Sequence, residues 1–423
     1  MTDSTQHPWL VLVESNTTGT GRLFASTGRA LGFTPVLLTA DDSRYPYVAA
    51  DGVAFLRVDT GDPAALAAAC TGLVARAPIG AVLSSSEYFV AAAARLARQL
   101  DLPAPDPDAV VRCRNKAMQR RTLAGHPGAV RYVECSDADQ AAEATRQLGG
   151  SVVVKPCFGS GSEGVRACSG PDEAAAWAQR LLAVRHNERG LPIEPRILVE
   201  ELVTGPEYSV EVLDGTVYGI TAKHLGEPPF FVETGHDFPA VLAPADADRL
   251  AEVARRAVEV LGLDHGPAHV ELRLSARGPV VMEVNPRLAG GLIPQLVRLA
   301  TGIDLIAATI RSAAGRGPGG PVTRGADHHA SIRFLLLPDD GEVRTVSLDR
   351  AWAVPGVVEA VCTATAGERR QHHHSFRDRI GHVLALGETA TDAASAAEAG
   401  RRAVTEALTD GPVPVVEPAA ARP

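Results

Sequence analysis

The chain has 423 residues, 45% apolar and 22% charged, with a formal net charge of −9. That length predicts two or three domains, and the composition is that of a globular protein. The acidic excess argues against a general nucleic-acid binder, which needs a basic face for phosphate backbones, and no apolar run reaches the length of a membrane span.

Trp9–Val13 reads as a first strand, too short to be a signal-peptide core, so a cytoplasmic protein is expected. The polar loop Glu14–Gly21, a helix over Arg22–Leu31 and a strand over Val36–Thr39 complete a βαβ start. The loop lacks G-x-G-x-x-G spacing, which argues against a nicotinamide cofactor. An alanine-rich helix (Pro63–Ala75), a strand (Ala81–Ser84), the polar Ser85-Ser86-Glu87 and a helix (Tyr88–Leu100) follow. The prolines of Leu102–Asp108 mark a linker. Val110–Leu123 reads as one helix, Ala129–Glu134 as a strand and Asp137–Leu148 as a helix.

Next comes Val152–Gly164, VVVKPCFGSGSEG. Three β-branched valines suit a buried strand. Lys155 ends it and Pro156 closes it, since proline cannot donate to a ladder. Gly159, Gly161 and Gly164, with Ser160 and Ser162 between them, let backbone N–H groups turn toward an anion that Lys155 meets as a point charge. This is a polyphosphate cradle. Only three of the 41 basic residues are lysine, namely Lys116, Lys155 and Lys223. In a chain that otherwise uses arginine, they mark places that need a compact ammonium. Cys157 reads as a packing residue, and the six cysteines contain no Cys-x-x-Cys pair, so neither a zinc site nor a disulfide framework is expected.

Pro171–Arg185 is helical, and Arg196–Glu201 is a strand ending in two acids. Gly205–Leu213 and Thr216–Lys223 form a hairpin around Asp214-Gly215, a type I′ signal. After a long helix (Pro244–Leu261), His269–Leu274 and Val280–Val284 form a second hairpin. Residues two apart in a strand share a face, so Glu283 and Asn285 point one way and Glu271 can meet them from the partner strand. Arg287 continues the row if extension persists past Pro286. Two carboxylates and an amide oxygen are hard ligands suited to Mg²⁺, with Mn²⁺ as an alternative. Arg287 is placed to clamp a transferring phosphoryl group. Gly290 and Gly291 open the next helix, Gly290–Thr301, where bare N–H groups can hold an anion. A further helix (Ile303–Ala314) precedes the Gly/Pro-rich break Gly315–Gly325. Strands near Ala330–Leu337, Val357–Thr363 and His382–Leu386 and a helix over Ala393–Leu408 follow, and the tail from Gly411 is expected to be disordered. His328-His329 and His372–His374 read as solvated surface.

The order NKAMQRR, VVVKPCFGSGSEGV, VEELVTGPEYSVEV, HVELR, MEVNPRLAGG resembles the ATP-grasp superfamily of carboxylate–amine ligases over essentially residues 1 to 400. FFVETGHDFPA at 230–240 and NPRLAGGLIPQLV at 285–297 are similar to its bacterial L-amino-acid ligases. The resemblance implies an α/β architecture. Residues 1–108 would form a Rossmann-like pre-ATP-grasp domain, 109–315 a two-lobed ATP-grasp domain with its lid near 125–198, 326–410 a small α+β domain, and 411–423 a disordered tail. It implies ATP with Mg²⁺, small amino-acid-type substrates and a homodimer. Lys116 and Lys155 would contact the phosphates under the mobile loop Gly159–Gly164. Glu200, with the backbone of Glu201 and Leu202, would take adenine, and Glu207 the ribose. Glu271, Glu283 and Asn285 would hold the metal, and Arg287 would stabilise the acyl phosphate. Lys223 falls beside the nucleotide and His236 beside the substrate, where His236 is a candidate general base near its ordinary pKa. Glu87, Gly290 and Gly291 would face the substrate. The implied reaction joins an amino-acid-type carboxylate to an amine through an acyl phosphate. Transfer to a carrier thiol, carbamate chemistry and a non-catalytic ATP sensor remain as alternatives.

Overall fold

The computed structural model describes residues 7–17, 20–186, 190, 192–319, 328–337, 340–343 and 347–409. The βαβ start builds a first, parallel sheet of β1 (Trp9–Val13), β2 (Thr34–Thr39), β3 (Ala54–Arg57) and β4 (Ile79–Leu83), in the order β3-β2-β1-β4. Its central strands are continuous apolar runs because helices cover both faces. Val11, Val13, Val36 and Leu38 pack under Pro63–Val74 and Val90–Gln99, while Leu10, Leu12 and Leu37 pack with Phe24 and Ala25 of Thr20–Ala30. The order reverses between β1 and β4, so the sheet's crevice opens at Glu14–Asn16 and Ser84–Glu87. The sequence reading misses the helix Pro46–Ala50 and β3, whose four residues are all exposed and carry no inward face.

The expected helix Val110–Leu123 is two, Pro107–Arg114 and Lys116–Thr122. Asn115 is extended between them, and its side chain accepts from the N–H groups of Ala117 and Met118, an N-cap that restarts the helix. Lys116 is thereby the first helical residue, and its backbone N–H reaches the Cys157 carbonyl at 2.9 Å.

A second sheet is antiparallel, with β5 (Tyr132–Cys135), β6 (Val152–Pro156), β7 (Arg166–Cys168) and β8 (Ile197–Glu201) in the order β5-β8-β6-β7. Val152, Val154 and Val199 pack on alanines of the helices Ala138–Leu148 and Pro171–Leu182. Pro156 stays in register opposite Ile197, at the end of the ladder where its missing N–H costs least.

The remaining strands are β9 (Glu207–Leu213), β10 (Thr216–Leu225), β11 (Glu233–Phe238), β12 (Pro267–Ser275), β13 (Gly278–Asn285), β14 (His329–Leu336), β15 (Gly341–Glu342), β16 (Val357–Cys362), β17 (Arg369–Arg370) and β18 (Arg379–Gly387). β15 pairs with β17, and the others form one eight-stranded sheet, β13-β12-β9-β10-β11-β14-β18-β16. Asp214 (φ 50°) and Gly215 (φ 73°) have the two positive φ values a type I′ turn requires. β11, ETGHDF, is absent from the sequence reading because it has no apolar alternation. It joins the hairpin strands to β14, so the strands after residue 328 extend the same sheet. One face of this sheet is apolar: Val210, Val212, Val270 and Val284 meet Leu250, Ala254, Ala257 and Leu261 of the helix Pro244–Leu261. The expected tail from 411 and residues 320–325 of the expected break lie outside the described residues. Among the described residues no single helix is long and apolar enough to cross a membrane.

Candidate active site

Strand alternation turns a row of polar side chains to the other face of the large sheet. Glu283 stands opposite Glu271 and Asn285 opposite His269. His269, Glu271 and Arg273 stand opposite Glu211, Ser209 and Glu207, Glu207 opposite Lys223, and Lys223 opposite His236. Across a cleft of about 810 Å³, partly open to solvent, this row meets Lys155, Gly159–Glu163 and Glu200 from β6, its loop and β8.

All three lysines of the chain are buried in this site, at 5%, 6% and 6% exposure for Lys116, Lys155 and Lys223, and each faces acid. Lys116 Nζ lies 3.0 Å from Glu283 Oε1 and donates to the Gly159 carbonyl at 2.9 Å. Lys155 Nζ lies 2.8 Å from Glu200 Oε2, whose carboxylate also receives Arg120 Nε at 2.7 Å. Burial pushes the Lys155 ammonium down to about 8, although Glu200 pulls the other way. Burial alone would raise Glu200, but Arg120 and Lys155 outweigh it and hold it at about 2.

Several expected ligands have different surroundings from those the sequence suggests. Lys223, expected beside the nucleotide, lies 3.2, 2.7 and 3.2 Å from Glu207, Glu233 and Glu271, so its three N–H donors are matched by three carboxylates. It is a buried tie between acids and has no donor left for a phosphate. His236, expected as a base, has Nδ1 3.2 Å from the Gly291 carbonyl and Nε2 3.2 Å from Glu233. Burial lowers its pKa against the pull of Glu233, but neither nitrogen is open to a substrate, so the ring holds the glycine turn instead. Gly290 and Gly291 precede the helix, which begins at Ile293. Gly291 has φ +58°, and a Cβ there would lie 2.4 Å from His236 Cε1, so the turn and the ring exclude any side chain. Glu200 is committed to two cations rather than free to meet a base.

Arg287 does not continue the sheet row. β13 ends at Asn285, and the Arg287 N–H turns back to the Asn285 carbonyl at 2.8 Å. Its Nε and Nη2 lie 3.0 and 2.8 Å from Glu87 Oε2, at the mouth of the first sheet. Arg114 reaches the same oxygen at 3.2 Å. Burial would raise Glu87, but Arg287 and Arg114 hold it at about 2. Glu87 thus ties the end of the first sheet to Arg287 and Arg114.

Gly159, Gly161, Ser162 and Gly164 all have positive φ. Three of their carbonyls are bonded: Gly159 accepts from Lys116 Nζ, while Gly161 and Gly164 accept from groups outside the cleft lining, the Phe376 N–H at 3.2 Å and Trp177 Nε1 at 2.9 Å. Among the described residues, no backbone carbonyl accepts from the amides of Gly159 to Ser162. Such a string of unsatisfied N–H groups suits an anion. Glu207 is bonded to Arg273 Nε at 3.0 Å. Asn285 is buried. Glu271, Glu283 and Asn285 fit a hard divalent cation by donor type and by their shared face, and the charge such an ion brings is now supplied by Lys116 and Lys223. Glu201 binds Arg131 and Arg277, and Leu202 follows at the end of β8. Burial pushes the Cys157 thiol up to about 12, consistent with packing. The histidine runs are not plain surface: His374 stacks on Phe230 at 3.9 Å, His372 lies 3.4 Å from Asp378, and His329 Nδ1 is buried in β14.

Sequence reasoning misses Arg114, Arg120, Glu211, Glu233, His269 and Arg273. His269 and Arg273 share parity with Glu271, so the argument used for Glu283 and Asn285 would have found them. Glu233 is hidden with β11. Arg114 and Arg120 reach the site only because of the break at Asn115.

Lys155 gives the site a pH dependence. Its folded pKa, about 8, is below that of an unfolded lysine. The charged form therefore costs stability below pH 8, and folding gains as pH rises from there toward the unfolded pKa, because only the unfolded chain still binds the proton. Affinity for an anion beside Lys155 runs the opposite way, because deprotonation removes the cation. KM for ATP, measured from pH 7 to 9.5, is expected to climb above about pH 8 by up to about tenfold per unit; a flat profile would remove Lys155 from the phosphate site.

Three family descriptions match the chain: ATP-grasp N-terminal domain over residues 26–104, ATP-grasp domain over 148–295, and L-amino acid ligase C-terminal domain 2 over 333–407. The uncharacterized protein y4rH of Sinorhizobium fredii is 36% identical over 389 residues, covering 91% of this chain and 80% of that one. Carnosine synthase 1 of Gallus gallus is 34% identical over 176 residues, 39% of this chain and 19% of that protein. The crystal structure of an L-amino acid ligase from Bacillus licheniformis superposes with a TM-score of 0.76 at 20% identity, covering 96% of this chain and 98% of that one.

Proposed function

The chain belongs to the ATP-grasp carboxylate–amine ligases, and from that premise we propose that it joins an amino-acid-type carboxylate to an amine through an acyl phosphate, releasing ADP and phosphate. The observation that carries this reading is the convergence of Lys116, Lys155 and the Glu271–Glu283 pair on one cleft, beside a loop whose amides at Gly159–Ser162 have no backbone acceptor among the described residues.

Phosphoryl transfer needs alignment and charge neutralisation more than covalent help. In this reading the amides of Gly159–Ser162 and the ammoniums of Lys116 and Lys155 hold the ATP phosphates. Glu207 faces the ribose, and the backbone of Glu201 and Leu202 at the end of β8 faces the base. Glu271, Glu283 and Asn285 would hold Mg²⁺, or Mn²⁺, which supplies positive charge to the phosphates when bound. A substrate carboxylate oxygen attacks the γ-phosphorus and the bond to the ADP oxygen breaks. The amine nitrogen then attacks the acyl carbon, the carbon–oxygen bond to phosphate breaks, and the nitrogen loses a proton. Arg287 exchanges Glu87 for the substrate carboxylate and steadies the charge that develops on it. Glu87, Glu233 and the Gly290-Gly291 turn, braced by His236, border the substrate. The match to an L-amino acid ligase C-terminal domain and the similarity to a carnosine synthase support an amino-acid-type substrate.

The test is ADP release across pairs of amino acids, with products weighed by mass spectrometry. Release that requires two amino acids, with an amide product, is expected. A protein that binds ATP but releases ADP with none of the pairs would not be this ligase, and a thioester or carbamate product would replace the acceptor.

A further inference from the structure

The phosphate loop is also held from outside by a segment remote in sequence. The turn Phe376–Asp378 is rigidly built: Ser375 and Asp378 are buried, Asp378 accepts the N–H groups of His373 at 2.6 Å and Ser375 at 3.0 Å, and Ser375 Oγ accepts the Arg377 N–H at 3.3 Å. The Asp378 carbonyl is tied to the Leu337 N–H at the end of β14. This turn meets the loop at three points. The Phe376 N–H donates to the Gly161 carbonyl at 3.2 Å. The Phe376 ring lies so close to Gly161 that a Cβ there would sit 2.2 Å from its Cδ1. Arg377 Nη1 lies 3.3 Å from Glu163. Just before the turn, His374 stacks on Phe230, with ring planes 5° apart. The neighbouring Phe231 carbonyl accepts from Ser162 Oγ at 2.8 Å.

Resting on the nucleotide reading above, we infer that Phe376 and Arg377 are positioning residues that clasp the phosphate loop, fixing the Gly161 carbonyl outward so that the amides of Gly159–Ser162 stay turned to the β- and γ-phosphates. The clasp acts on the phosphate end of the nucleotide alone, because among the described residues its hydrogen bonds and ion pairs reach neither β8 nor Glu207. Most of its effect comes from Phe376, since the Arg377–Glu163 pair is exposed and such pairs contribute little.

The test compares MgADP with adenosine by calorimetry on the full chain, together with the rate of ADP dissociation. In Phe376→Ala the Kd for MgADP is expected to rise about tenfold and ADP to leave faster, while adenosine affinity stays within about twofold. Phe376→Leu, which restores an apolar side chain, is expected to recover most of the loss, and Arg377→Ala to lose about two- to threefold. Loss of MgADP and adenosine affinity in equal measure would mark Phe376 as merely structural, and unchanged MgADP binding would remove the clasp. Wild-type protein that binds no MgADP would instead overturn the nucleotide site itself. Should Phe376→Ala not fold, the ADP-to-adenosine ratio in Arg377→Glu, which sets a like charge beside Glu163, decides: a ratio shifted from wild type supports the clasp, and an unshifted one ends it.

Discussion

Arg287→Ala is expected to lower substrate-dependent ADP release by about 10²–10³-fold, the size seen when a single preorganised donor to developing charge is removed. The guanidinium is largely buried, and Glu87, with Glu283 and Glu271 beyond it, holds its pKa above the ordinary value against that burial. It is therefore a permanent cation in a place of low dielectric, where charge acts strongly. Its removal leaves Glu87 with Arg114 as a partner, so folding is expected to survive. Steady-state ADP release, read beside the thermal midpoint, separates the two effects. Binding of ATP should change little, because Arg287 is not among the residues that line the cleft under the loop. An Arg287→Ala protein that is fully active would take the transfer step away from this residue.

Glu283→Gln is expected to be as damaging, but with a different signature. The carboxylate stands opposite Glu271 and 3.0 Å from Lys116. The amide keeps the shape and loses the charge that a divalent ion and the ammonium both need. ADP release is expected to fall about 10²-fold or more, and the Mg²⁺ concentration needed for half-maximal rate to rise, since hard cations favour carboxylate over amide oxygen. Chelating the metal should silence wild-type protein, and Mn²⁺ should restore it. If Glu283→Gln keeps its Mg²⁺ dependence unchanged, the metal is held elsewhere.

The parts of the site that lie within one hairpin or one loop were readable from sequence. Parity alone places Glu271, Glu283 and Asn285 on a common face, and the glycine spacing of 159–164 marks a loop whose glycines take positive φ. The lysine scarcity pointed to three positions, of which Lys116 and Lys155 line the cleft and Lys223 ties three of its acids together. What was not legible depends on chain segments meeting in space. A strand with no apolar rhythm concealed Glu233, and with it the reason Lys223 and His236 have no free donor or lone pair. The kink at Asn115 aims Arg114 and Arg120 inward, yet its signal is one residue inside an otherwise unbroken helical pattern. The departure of Arg287 from the sheet row follows from Pro286, where the sequence reading let extension continue.

The eight-stranded sheet carries one last implication, for how this protein can be divided. β11 holds the acid and the histidine beside Lys223, and its outer hydrogen bonds go to β14. Cutting the chain ahead of β14 would strip those bonds and leave a bare strand rim next to the catalytic floor, a surface that invites pairing with other chains. The segment from β14 onward thus covers the edge of the strand that carries Glu233 and His236, and a fragment cut ahead of it would be sticky.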